Sequence, residues 1–240
     1  MAVAGLGCLL ATFVACAPAP RPDVRVPERR AVVGWAARRL AALLPLDALA
    51  GQLLMVGIEN DADGRPLTEL DRAARESLAD VQPGAAVLFG RTFAAVDQVH
   101  SLVREIEREI TVPPFVATDY EGGLVSRLTT TGGIPATRIP PAAVVGRAVA
   151  NADADSPARS AHAAEPATPG LALARRLGEV MGRELRALGI TMNFAPVADV
   201  NPPEGTGAMA VHGRSFGSDP RFVGEVAAAV AAGLEATGVA

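Results

Sequence analysis

Four largely apolar runs of strand length lie at residues 53–58, 85–89, 115–117 and 190–197, and stretches with helical periodicity separate and follow them. A strand that is apolar on successive positions has both faces covered, which is the signature of a parallel sheet clothed by helices. The helical stretches supply the cover. Leu70, Ala74 and Leu78 share one face, as do Val99, Leu102, Val103, Ile106 and Ile110. Over about 171–188, Leu173, Leu177, Met181, Leu185 and Leu188 point inward, and Gly189 is the stop signal. The last helix opens at Ser218-Asp219-Pro220, a capping residue followed by proline in the first turn. It buries Val223, Val226, Val230 and Leu234, and Gly238 ends it. Alternating strand and helix specify an α/β fold. A doubly wound sheet and a TIM barrel both satisfy that alternation. The four strand-helix units counted here are half of the eight a barrel needs, so periodicity by itself favours a small open sheet.

The flanks of this pattern read differently. Residues 1–15 form a small apolar run, too short to span a bilayer, for which about 20 residues are needed. The run ends in Phe13-Val14-Ala15-Cys16 before a proline-rich tract, so residues 1–16 are expected to be an export signal with a lipidation box centred on Cys16. A lipidated Cys16 would attach the protein to a membrane by acyl chains. No Lys or Arg precedes the run, and Phe13 stands where leucine is usual in such a box; an ordinary secretory leader or a loose N-terminus is the alternative. Residues 17–35, with mixed charge and several prolines, are expected to be a solvated linker. The folded domain is expected over 36–240, interrupted by an Ala-, Pro- and Ser-rich insertion at about 147–168.

Hydrophobic residues make up 50% of the 240, enough for one large domain or two small ones. The net charge is −4, so no basic surface exists for nucleic acid. Both cysteines, Cys8 and Cys16, fall in the leader, which leaves the rest without a disulfide or a thiolate metal site. His100, His162 and His212 show no metal-ligand spacing, and neither a phosphate loop nor a nucleophile elbow is present. No metal or cofactor is expected.

Residues 117–127 carry the chemistry: Ala-Thr-Asp-Tyr-Glu-Gly-Gly-Leu-Val-Ser-Arg. Asp119 stands at the C-terminal end of the third strand, the edge where parallel α/β folds bind ligands. A carboxylate there can accept paired hydrogen bonds from vicinal hydroxyls. Glu121 shares the rim, and Gly122-Gly123 lets the backbone turn sharply. The plain alternative is an aspartate that caps the next segment. Arg127 and Arg214, the latter in Gly-Arg-Ser-Phe-Gly, present planar forks of donors suited to hydroxyl or carboxylate oxygens. Asp199 reads as structural, bonding loop backbone near the strand end, with direct contact to a ligand as the alternative.

Residues 117–127, the words Asn193-Phe194-Ala195-Pro196-Val197-Ala198-Asp199-Val200-Asn201 and Gly213–Gly217 resemble the N-terminal barrel of glycoside hydrolase family 3, especially its β-N-acetylglucosaminidases. The resemblance spans about 36–240 and implies the N-terminal half of a TIM (β/α)8 barrel. It implies that Asp119, Arg127 and Arg214 bind a terminal sugar, with Glu121 and Asp199 as rim or structural residues. At Arg214 the preceding Val211-His212-Gly213 departs from the acidic or polar residue usual in the family. The implied activity is exo-acting, retaining hydrolysis of terminal β-linked N-acetylglucosamine, from glycans or muropeptides of peptidoglycan. Such an enzyme needs a carboxylate nucleophile and a proton donor. In the family both follow a Lys-His-Phe-Pro-Gly-His-Gly segment, which has no counterpart up to Ala240. The catalytic residues are therefore expected beyond Ala240, and this chain by itself is expected to be inactive. The competing expectations are a lipid-anchored, non-catalytic sugar-binding module and a decayed fragment.

Overall fold

The computed structural model describes residues 30–61, 63–130, 133–155, 168–202 and 204–240. The chain divides into two compact units, residues 1–43 and 44–240. The expectations for the leader, for Cys16 and for residues 17–29 lie outside the described residues. In the first unit, α1 (Arg30–Ala41) begins six residues before the expected start of ordered structure and corrects the linker expectation over 30–35. Its sequence, rich in alanine and arginine, consists largely of strong helix formers.

The second unit runs α2 (Leu46–Gly51), β1 (Met55–Ile58), α3 (Arg72–Val81), β2 (Ala85–Leu88) and α4 (Val96–Glu109). Then come β3 (Phe115–Thr118), a small antiparallel pair β4 (Tyr120–Gly122) and β5 (Val125–Ser126), and the turn α5 (Arg127–Thr130). The remainder is α6 (Ala142–Ala154), α7 (Pro169–Ala187), β6 (Met192–Asn193), α8 (Ala208–Val211) and α9 (Pro220–Ala236). The main sheet has the order β1-β2-β3-β6, with every pair parallel. Each crossover therefore steps in the same direction along the sheet. A doubly wound sheet reverses direction at a switch point, whereas a barrel does not. This order decides between the two folds that the apolar pattern left open. After α9 the chain returns to the sheet: Ala240 N–H donates to Thr191 O (2.9 Å) and Asn193 N–H donates to Ala240 O (2.9 Å), the pattern of a parallel bridge at the next strand position.

The sheet's two faces differ. Ile58, Ala86, Leu88 and Val116 pack into the helix-covered core. On the opposite face, Met55, Ala85 and Phe115 stand in register, and the first and last of them are 45% and 48% exposed. Helices thus clothe the outer side of a curved half-barrel.

Three elements depart from the sequence reading. α3 starts at Arg72 rather than near Leu67, because the Asp71 side chain accepts from Ala74 N–H (2.7 Å) and caps it. The fourth strand is only β6, whose last bond to β3 is Phe194 N–H donating to Thr118 O (3.1 Å). Most plainly, the start of the proposed insertion is the helix α6, which buries Val145, Gly146 and Val149. Its small residues weaken the apolar period while permitting close packing. At its end, Asp153 accepts from Thr168 Oγ1 (2.9 Å) and Gly170 N–H (2.7 Å), joining α6 to the start of α7. Residues 156–167 of the expected insertion lie outside the described residues.

α7 and α9 pack through glycine. A Cβ on Gly178 would lie 2.1 Å from Val230 O, and one on Gly233 would lie 2.1 Å from Arg175 O. The two backbones touch there, which only hydrogen in place of a side chain allows.

Candidate functional site

The end of β3 is built from buried polar contacts. Thr118 is fully buried and its hydroxyl donates to Leu88 O (2.9 Å). Two residues later, Tyr120 is held by Asn193 at both backbone atoms: Tyr120 N–H donates to Asn193 Oδ1 (3.0 Å) and Asn193 Nδ2 donates to Tyr120 O (3.1 Å). Gly122 and Gly123 then turn at φ +98° and +59°. A Cβ on Gly122 would lie 2.4 Å from Pro140 O, so the turn requires glycine for space as well as for conformation.

This turn sets out two ion pairs. Arg127 Nε lies 3.3 Å from Asp119 Oδ2, with the side chains 35% and 22% exposed. Arg127 N–H also donates to Asp119 O (3.0 Å), which closes the segment 119–127 on itself. Beside it, Arg214 Nε and Nη2 donate to Glu121 Oε2 (2.8 Å) and Oε1 (2.6 Å) in a fork. The Glu121 side chain is nearly buried. The hydrogen bonds that Arg214 donates to Glu121 hold its guanidinium pKa above its ordinary value, with the charges of Glu121, Asp119 and Asp199 acting the same way against burial. Asp119, Arg127, Glu121 and Arg214 thus lie close together as two ion pairs.

Asp199 makes a contact within its loop. Its main-chain oxygen, not its carboxylate, makes the loop contact: the buried Ser215 hydroxyl lies 2.6 Å from Asp199 O. The residue itself is exposed and acts on Arg214 through its charge. Beneath the Glu121–Arg214 pair, Val145, Met181, Ala195, Phe216 and Val230 line a cavity of about 20 Å³. That is room for about one water.

Sequence reasoning missed the support behind the rim. The Tyr120 hydroxyl lies 2.7 Å from Glu184 Oε2 and 2.6 Å from Thr137 O. The available signal was Glu184 itself, a carboxylate beside the inward-facing Met181 and Leu185 of α7. Burial, then the hydrogen bond and charge of Glu184, push the Tyr120 phenol well above its ordinary value. The folded protein therefore keeps the phenol neutral where the unfolded chain ionises it, at about pH 10. The associated stability is present below that pH and is lost as pH rises beyond it. Tyr120 is the one tyrosine in the chain, which contains no lysine, so this alkaline limb is readily assigned. Tyrosinate absorbance is expected to rise together with unfolding and not before it, and Tyr120→Phe should flatten the alkaline loss of stability. Tyrosinate formation in a still-folded protein would contradict the burial.

Comparison with known proteins agrees with this architecture. The β-hexosaminidase of Nitrosospira multiformis is 31% identical over 180 residues, covering 75% of this chain and 45% of that protein. The β-hexosaminidase of Methylococcus capsulatus is 35% identical over 167 residues, covering 69% of this chain and 42% of that protein. The chain thus spans less than half the length of these curated relatives. Among solved structures, a family 3 β-N-acetylglucosaminidase from a Paenibacillus species superposes with a TM-score of 0.65 at 29% identity, over 82% of this chain and 32% of that one. Residues 45–240 match the sequence family described as the glycosyl hydrolase family 3 N terminal domain, and the chain belongs to that family.

Proposed function

We propose that the rim at the end of β3 holds the terminal sugar of a β-linked N-acetylglucosamine substrate, and that the protein is an exo-acting, retaining β-N-acetylhexosaminidase. The observation that carries this reading is the pair of carboxylate–guanidinium contacts converging on one open rim in a family 3 domain. Asp119 is the less enclosed of the two carboxylates and offers acceptors to vicinal hydroxyls. Arg127 and Arg214 supply donors from either side. Each carboxylate faces a guanidinium, an arrangement suited to gripping a sugar, while the covalent step requires a nucleophile and an acid from other segments. The relatives' names, β-hexosaminidase and β-N-acetylglucosaminidase, support N-acetylglucosamine as the sugar. The test is turnover of a chromogenic β-N-acetylglucosaminide by the product of the whole reading frame. Hydrolysis that disappears with Asp119→Ala supports the reading, and a folded protein without turnover sinks it.

Fragments of peptidoglycan are the natural source of such a sugar for an exported protein. The same proposal therefore includes export and lipidation at Cys16, motivated by the small apolar run that precedes it. Metabolic labelling with palmitate should mark the wild type and not Cys16→Ser. Equal labelling of both would end the anchoring proposal.

A further inference from the structure

We propose that Glu184 is a positioning residue for the sugar-holding rim, acting through Tyr120 from the far side of the sheet edge. The inference rests on the sugar-binding reading of that rim. In an extended segment successive side chains point to opposite sides. Tyr120 points into the core, where it is fully buried, so its neighbours Asp119 and Glu121 are directed to the rim. Whatever holds Tyr120 sets the direction of both carboxylates, and through them of Arg127 and Arg214.

Asn193 fixes the Tyr120 backbone, and Glu184 fixes its side chain. One carboxylate oxygen lies against the Tyr120 hydroxyl (2.7 Å), and the other accepts from Thr137 N–H (3.0 Å) and Thr137 Oγ1. Thr137 O closes the triangle at 2.6 Å from the same hydroxyl. Two residues further on, Ile139 O accepts from Gly123 N–H (2.9 Å), so the segment that covers the glycine turn is fastened to α7 by the same side chain. One carboxylate on a long helix thus connects the strand end, the turn and the covering loop. Buried polar networks of this kind restrict the arrangement of the groups they join.

The experiment measures N-acetylglucosamine affinity of the 240-residue chain by calorimetry, with each variant's unfolding temperature recorded and binding measured well below it. Tyr120→Phe keeps the ring and removes the hydroxyl; Glu184→Ala removes the hold from the other end. Tyr120→Phe is expected to weaken binding about tenfold, the effect of losing one hydrogen bond to a charged group, and Glu184→Ala, which also gives up both Thr137 bonds, by at least as much. The double variant is expected to bind no more weakly than Glu184→Ala alone, because Tyr120→Phe removes a connection that Glu184→Ala has already broken. Glu184→Gln, which can still bond both Tyr120 and Thr137, is expected to stay within about threefold of wild type. Unchanged affinity in Tyr120→Phe and Glu184→Ala, with only the unfolding temperature lowered, would show a purely structural network and overturn the inference while leaving the sugar site in place. Additive losses would overturn it too. If Glu184→Ala does not fold, Tyr120→Phe and Glu184→Gln decide the question. A folded wild type that binds no sugar removes the functional reading, and the inference falls with it.

Discussion

Asp119→Ala is expected to weaken binding of N-acetylglucosamine by about 100-fold, the loss of two hydrogen bonds to a charged acceptor, each contributing about 1.5 kcal/mol. The same change should lower the unfolding temperature only slightly. Asp119 and Arg127 are 22% and 35% exposed, and an ion pair so open to solvent adds no more than about 1 kcal/mol to stability. The separation of the two readouts is the substance of the prediction. A merely capping aspartate would show the reverse, a lower melting temperature with affinity unchanged. Asp119→Asn sharpens the comparison, since it keeps the shape and one acceptor oxygen while removing the charge that strengthens the contact. Its affinity should fall between those of the wild type and the alanine variant. Calorimetric titration with the sugar checks all three, and wild-type affinity in Asp119→Ala would rule out this rim as the sugar site.

The second large effect concerns the scaffold and depends on the sign of one substitution at two places in α9. Gly233→Ala should destabilise the protein by about 3 kcal/mol, within the range for forcing an extra methyl into a packed contact. The new Cβ would meet Arg175 O at 2.1 Å, and a carbonyl in the middle of α7 has no alternative rotamer. For a domain of this size that is a fall of about 6–12 °C in unfolding temperature. Gly224→Ala lies in the same helix, on its exposed face, with nothing within 4 Å of where the new methyl would stand. There the ordinary preference of helices for alanine over glycine operates unopposed, and a gain of about 0.5–1 kcal/mol is expected. Thermal melts of the two variants measure both. If Gly233→Ala is neutral, α7 and α9 do not touch through their backbones.

Glycine's opposite roles at these two positions illustrate where the chain's information lies. The helical period of α9 is plain in Val223, Val226, Val230 and Leu234, and the cap at Asp219 accepts from Phe222 N–H (2.8 Å) as its position before Pro220 implied. Neither says which glycine faces a partner helix, because that depends on a crossing with residues more than forty positions away. α6 was hidden for a related reason. Gly146 packs against the backbone at Phe216, and alanines fill much of the rest of the helix, so a count of large apolar residues finds little there.

Local chemistry was sufficient to locate the four parallel strands, α4, α7 and α9, and to choose an α/β fold, since apolar runs and capping residues act within a few positions of themselves. The family's words at 117–127, 193–201 and 213–217 were also legible, and they named Asp119, Glu121, Arg127 and Arg214. Three matters belonged to the tertiary structure. The direction of the crossovers chose a barrel over a doubly wound sheet, because strand order is a property of the whole sheet. The pairing of Glu121 with Arg214 joins residues ninety-three positions apart. Glu184 acquired its place behind the rim only when α7 packed against the end of β3, sixty-four positions from the tyrosine it holds. Periodicity reports which face of an element is apolar, and a hydrogen bond between distant elements exists only once those faces have met.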